Sequence, residues 1–361
     1  MNEVNYLCTR SVLRCNTDTP GTRRAGFRGL AGVGLVLGLS SMAAHAQTAQ
    51  QPMVYEGTAG GPRLLEEGQP PAIVHATVQD AQRARASAPE LAAAPAATTN
   101  LTYHGGTGGI GVETAPKIYL VLWGSQWSSD PSGEATILES FYTGVGGSSW
   151  ANSVTQYCQG VSRGTVFCNG SGTPAGNHAG FFAAVWADNA AAAPRHPTQS
   201  QLAAEAVRAA SHFGNTTASS NATVQYVIAT ATGNSASGFG TQYCAYHSST
   251  TSSVGNVAYT NLPYITDAGA SCGANFNGLG TKAGITIVGG HEMAETITDQ
   301  FPSSGWVDSR GAENGDKCAW ITSGQGASAD VTFPNGTTFP VQSLWSNAFN
   351  GGAGGCVLTY P

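Results

Sequence analysis

The chain has 361 residues, with 10% charged, 48 Gly and a formal net charge of −6. That length suffices for one large domain or two small ones. The composition excludes the basic stripe of a nucleic-acid-binding protein and the dense charge of a disordered chain.

The first segment reads as an export signal. Arg23, Arg24 and Arg28 precede an apolar run from Leu30 to Leu39, and Ala44-His45-Ala46 fits a signal-peptidase site before Gln47. The run is too short to span a bilayer, so no stable membrane insertion is expected after cleavage. The Arg23-Arg24 pair leaves twin-arginine export open beside the general route. Residues 1–46 are thus assigned to the signal peptide, and a secreted or periplasmic product is expected. Residues 47–100, rich in Ala, Pro and Gln as in Ala92–Ala97, read as a linker or as a propeptide shielding an active site. Arg83 and Arg85 would then offer processing points. The globular domain is assigned to residues 101–361, as a monomer.

Within it, Lys117–Trp123 is an apolar run of strand length. Helical spacing follows over Glu134–Tyr142, ended by Gly144, Gly146 and Gly147. Trp150–Tyr157 reads as a short helix. Thr198–Phe213 reads as a longer one, N-capped by Thr198. Thr223–Ala229 and Asn256–Thr260 read as strands, and Asn335-Gly336 predicts a hairpin over Val331–Val341. The pattern predicts an α/β or α+β fold with a single mixed sheet flanked by helices.

Cys8 and Cys15 fall in the signal segment. The six remaining cysteines, in an exported chain, predict disulfide-stapled loops. Sequence proximity favours Cys158–Cys168, Cys244–Cys272 and Cys318–Cys356.

The chemistry concentrates after Thr281. That segment is ambiguous at first, because Ile285 and Ile287 alternate like a strand, then helical until Gln300-Phe301-Pro302. On a helix, His291 and Glu295 lie one turn apart on one face and can share a metal ion. Glu292 is placed as general base for a water activated by that ion. The pattern is His-Glu-x-x-Glu, with a carboxylate where a zinc peptidase would carry its second His. Glu313 and Asp316, in the following Glu-Asn-Gly-Asp turn, are candidates for the third ligand, with Asp299 and Asp308 as further acids. The Gly289-Gly290 pair would leave room for a ligand or a neighbouring backbone. Zinc is the expected cofactor and calcium the alternative. His247, three residues after Cys244, is a candidate for binding metal or stabilising an oxyanion, or a loop His without a role. Trp123, Trp127 and Trp186 could line a groove or fill the core. His178, His196 and His212 read as local.

The words His-Glu-Met-Ala-Glu-Thr-Ile-Thr-Asp, Gly-Trp-Val-Asp and Glu-Asn-Gly-Asp-Lys-Cys-Ala-Trp resemble bacterial relatives of the phosphate-induced, EXORDIUM-like protein family. Tyr243–His247 and Gln342–Asn347 resemble the same group. That resemblance implies an extracellular, cell-wall-associated binding protein without enzymatic activity. Plant members lack the full His-Glu-x-x-Glu, which this chain has. The motif also looks like a variant of the zincin metallopeptidases, which implies a zincin-like active-site helix. His291 and Glu295 would then be the helix ligands and Glu292 the catalytic base. Two functions are therefore expected in competition: a metal-dependent endopeptidase acting on protein or peptide, and a binding protein for cell-wall material. A metal-free hydrolase pairing Glu292 with Glu313 or Asp316 is a third.

Overall fold

The computed structural model describes residues 63, 64, 66, 68–87 and 100–360. The signal segment, with Cys8 and Cys15, and the Ala92–Ala97 run lie outside the described residues.

A seven-stranded sheet organises the fold. Its strands are β1 (Arg63–Leu64), β2 (Ala72–Ala76), β3 (Lys117–Trp123), β4 (Phe182–Asp188), β5 (Val224–Thr230), β6 (Tyr243–Ser252) and β7 (Gly255–Leu262), in the spatial order β1-β2-β6-β7-β5-β3-β4. The β1–β2, β2–β6 and β6–β7 pairings are antiparallel, and β7–β5, β5–β3 and β3–β4 are parallel. The sheet is therefore mixed.

Four α-helices pack with it: α1 (Val78–Ser87), α2 (Glu134–Val145), α3 (Gln199–His212) and α4 (Ala283–Thr298). Side chains alternate across a strand, and the core divides accordingly. Ile118, Leu120 and Leu122 of β3 join α2 and α4 in one cluster, while Val121 and Trp123 join α3 in the other. Thr198 caps α3 as the sequence predicts, accepting from the Gln201 backbone N–H while the Gln201 side chain accepts from Thr198.

Several elements depart from the sequence reading. Strand β4 lies in a segment to which the sequence reading assigned no element. It is an edge strand whose residues mostly alternate between half-buried and exposed, although residues 181–187 form a continuous apolar run of strand length. The larger correction concerns residues 47–100. The flexible-linker reading fails for Ala72–Ser87: β2 is an inner strand and α1 follows it directly. Ala72, Ile73 and Val74 are fully buried.

The three disulfides join Cys158 to Cys168, Cys244 to Cys272 and Cys318 to Cys356. They fit an oxidising compartment. Among the described residues no helix is long and apolar enough to cross a membrane. Trp123 is buried in the core cluster on the α3 side, and Trp127 packs against the other cluster. Trp186 stacks on His212 at the far edge strand, so the three tryptophans form no common groove.

Candidate metal centre

Helix α4 is buried along its whole length. A helix apolar on every side belongs inside a protein, and Ala283–Thr298 nearly meets that description. Its threonines satisfy themselves: Thr296 Oγ1 donates to the Glu292 carbonyl at 2.8 Å and Thr286 Oγ1 to the Pro340 carbonyl at 2.6 Å. That leaves His291, Glu292 and Glu295 as its unusual residues, all with zero exposure.

The glycine pair before His291 serves a different purpose from the one expected. A Cβ on Gly289 would stand 3.1 Å from Tyr142 Oη, and one on Gly290 would stand 3.0 Å from Phe141 Cζ. These glycines admit core aromatics, not a ligand. The glycine that admits the site is Gly315, where a Cβ would lie 2.7 Å from His291 Nδ1 and 2.9 Å from Glu295 Oε1.

His291 Nε2 lies 3.1 Å from Glu295 Oε1 and 3.9 Å from Asp316 Oδ1. Around a tetrahedral ion with bonds of about 2.0–2.2 Å, ligand atoms stand roughly 3.3–3.6 Å apart, so these separations bracket the requirement. The turn after the helix aims Asp316. Its Oδ2 accepts from the Glu313 backbone N–H at 3.3 Å, and its own N–H donates to Glu295 Oε1 at 2.8 Å.

Gln342 orients the ring. Its Nε2 donates to the carbonyls of Gly315 and Ser343, so its Oε1, 3.1 Å from His291 Nδ1, must accept. Nδ1 is then the donor, and Nε2 is the nitrogen left to face the carboxylates.

The expected ligand set divides. Asp316 joins His291 and Glu295, but Glu313 turns to His247, with Oε2 3.3 Å from its Nε2. The other nitrogen of that ring, Nδ1, lies 3.4 Å from Glu292 Oε2 and 3.5 Å from Glu295 Oε2. Glu295 thus presents one oxygen to each histidine. His247 is on β6, paired between Ile73 and Thr260, and is not a loop residue. Asp299 borders Glu313, and it also accepts from the backbone N–H groups of Ser303, Ser304 and Gly305 and holds the turn after α4. Asp308 accepts from Lys317 at 3.0 Å. His178 and His196 contact nearby backbone carbonyls.

His75 on β2 completes the cluster. Its ring stacks on His291 with centroids 3.8 Å apart and planes 2° apart. The sequence marks it with no motif; only β2's place in the sheet brings it here.

The electrostatics favour a cation. Glu292, Glu295, Asp299 and Glu313 are buried together, with Asp316 nearly so. The described ion pairs of Lys and Arg lie elsewhere, as Lys317 with Asp308 and Arg208 with Asp188. Both oxygens of Glu292 and of Glu313, both ring nitrogens of His247, and His291 Nε2 lack a hydrogen-bond partner. Buried polar atoms are rarely left so. Burial alone would lower His291, yet Glu295, Glu292 and Asp316 together push it up to about 9. A metal ion bound at His291 would compete with that proton for the same ring nitrogen. Burial pushes Glu292 up, whereas the two histidines overcome burial and hold Glu295 below its ordinary value. Burial and the neighbouring acids Glu295 and Asp299 push Glu313 far up.

Three overlapping sets among the described residues bring their ligand atoms within 4.8 Å of one another: His291, Glu295 and Asp316; His247, Glu295 and Glu313; and His75, His291 and Glu292. These buried groups could hold a metal ion. Comparison with protein-family models, curated proteins and solved structures returns no match. Fold and site together define an α/β protein with three disulfides and a buried histidine–carboxylate centre.

Proposed function

We propose that this is an exported metal-dependent hydrolase, most simply a zinc endopeptidase. One observation carries the reading: His291 Nε2, Glu295 Oε1 and Asp316 Oδ1 converge beside the unpartnered carboxylate of Glu292. The histidine and the small donor set suit zinc better than calcium, which takes more oxygen ligands. Zinc would supply Lewis acidity toward water and a peptide carbonyl. Glu292 accepts the proton of the attacking water and passes it to the departing amine as the C–N bond breaks. Its raised affinity for protons suits both halves of that exchange. His247 Nδ1, 3.4 Å from Glu292 Oε2, would balance its charge when the ring is protonated.

Zinc content and peptidase activity of the purified chain test the reading together. Glu292→Gln is expected to keep the metal and to slow hydrolysis by about 100-fold or more. Unchanged turnover in that variant overturns the mechanism.

The zero exposure of the cluster favours a second reading, in which the ion is structural and the protein is an EXORDIUM-like extracellular binding protein. A metal that raises stability in a chain cleaving no peptide in any form would support it.

A further inference from the structure

We infer that the β2-facing edge of β6 is a binding site for an extended polypeptide, and that Ala72–Ala76 occupies it as an internal stand-in that closes the metal centre. Calling that polypeptide a substrate rests on the peptidase reading above; the occupancy of the edge does not.

A hydrolase must admit a scissile carbonyl, yet His247, His291, Glu292, Glu295 and Glu313 have no exposure. Some element must leave. The one lying directly on His291 is His75, sandwiched between the His291 ring at 3.8 Å and the Trp320 ring at 4.8 Å.

His75 covers the centre and does not ligate it with His291. Zinc lies near the plane of an imidazole, about 2.0–2.1 Å from the nitrogen. Two parallel rings 3.8 Å apart cannot both meet that condition for one ion. Neither nitrogen of His75 has a hydrogen-bond partner. A buried ring with two unanswered nitrogens is a poor structural choice and a sufficient cover.

The manner of attachment is that of a bound peptide. Ile73 pairs with His247, Val74 with Tyr246 and His75 with Ala245, antiparallel, before the register shifts at Ala76. Main-chain pairing supplies affinity and alternate side chains supply selectivity, as when a peptide adds a strand to a sheet. His75 faces α4, while Ala72 and Val74 pack with Tyr243 and Tyr246 on the other face. Residues 88–99, rich in Ala and Pro, join this segment to the rest of the domain. A peptide taking the place of β2 would run past His247 and cross the centre where His75 now lies.

The test uses the full chain with a specific protease site placed within residues 88–99, cut after folding. A second form adds Val74→Pro to weaken the β2 pairing. Size-exclusion chromatography follows the released fragment, circular dichroism follows the fold, and fluorescence anisotropy follows rebinding of a labelled Arg63–Ser87 peptide. Departure of the fragment is expected to leave the fold intact and to raise hydrolysis of a quenched peptide at least tenfold. The added peptide should then bind and abolish that gain, and its His75→Ala form should do so less well. The inference is overturned if the fragment stays bound in both forms, if its departure unfolds the protein, if the labelled peptide does not rebind, or if the uncut chain is as active as the opened one. Reversible binding with no hydrolysis in any form would remove the peptidase reading and leave the binding edge standing.

Discussion

Glu295 turns Oε1 toward His291 Nε2 at 3.1 Å and Oε2 toward His247 Nδ1 at 3.5 Å. One carboxylate therefore links a helix neighbour, four residues back, to a strand residue distant in sequence. Both contacts are fully buried, and each belongs to a group of side chains that could hold a metal ion.

Removal of the metal should therefore cost stability. For an ion present at about 1,000 times its Kd, binding contributes about 4 kcal/mol. In a domain of this size, chelation should lower Tm by about 10 °C. Differential scanning calorimetry with and without chelator checks this, and His291→Ala should abolish the difference. An identical Tm in both conditions would remove the metal from the account.

Gly315→Ala should damage the centre without touching a ligand. Its Cβ would lie 2.7 Å from His291 Nδ1 and 2.9 Å from Glu295 Oε1, so the ring and the carboxylate must shift apart. Metal affinity should fall about 10-fold or more. Competition with a chromogenic chelator measures it, and parental affinity in the variant would show that the turn yields freely.

The bond between Cys244 and Cys272 closes a separation of 28 residues and anchors β6 three residues before His247. Chain entropy gives about 3.5 kcal/mol for a loop of this length. The double variant Cys244→Ala, Cys272→Ala should lose stability of that order in urea unfolding, and metal affinity with it. Loss of stability alone would mean that the β-sheet pairing positions His247 without the bond.

A pH effect independent of the centre is expected at Glu113. Burial pushes this group up to about 8, although Gln225 Nε2 donates to Oε2 at 2.9 Å. Below the ordinary carboxylate range both folded and unfolded chains hold the proton, and there is no penalty. As pH rises toward 8 the unfolded chain releases it and the folded chain retains it, so stability falls. Glu113→Gln should match the parent at pH 4 and exceed it by about 2–4 kcal/mol at pH 8. Denaturant unfolding at both pH values checks this; a constant difference would contradict the shift.

Much of the local architecture was legible. The short-range disulfide pairing, α3 with its Thr198 cap, strands β3, β5 and β7, and the helical placement of His291 and Glu295 all follow from local patterns. Strand β6 was not legible as such, because Tyr243–Ser252 is polar at many positions and owes its burial to neighbours on both sides. His247 was a candidate from its place three residues after Cys244, without its strand being recognised. Gln342 stood within a recognised word, but its role as acceptor for His291 depends on two carbonyls, Gly315 and Ser343, that fix its amide.

The amino-acid sequence by itself determined that His291 and Glu295 share a face, because a helix repeats every 3.6 residues and nothing distant can alter that spacing. It also determined that a turn of carboxylates follows closely behind. Only the tertiary structure decided that Asp316 joins His291 while Glu313 joins His247, and that His75 stacks on His291. Those choices are made by strand register and by backbone approach at Gly315. Both depend on segments far apart in the chain, where no local periodicity records which side chains will meet.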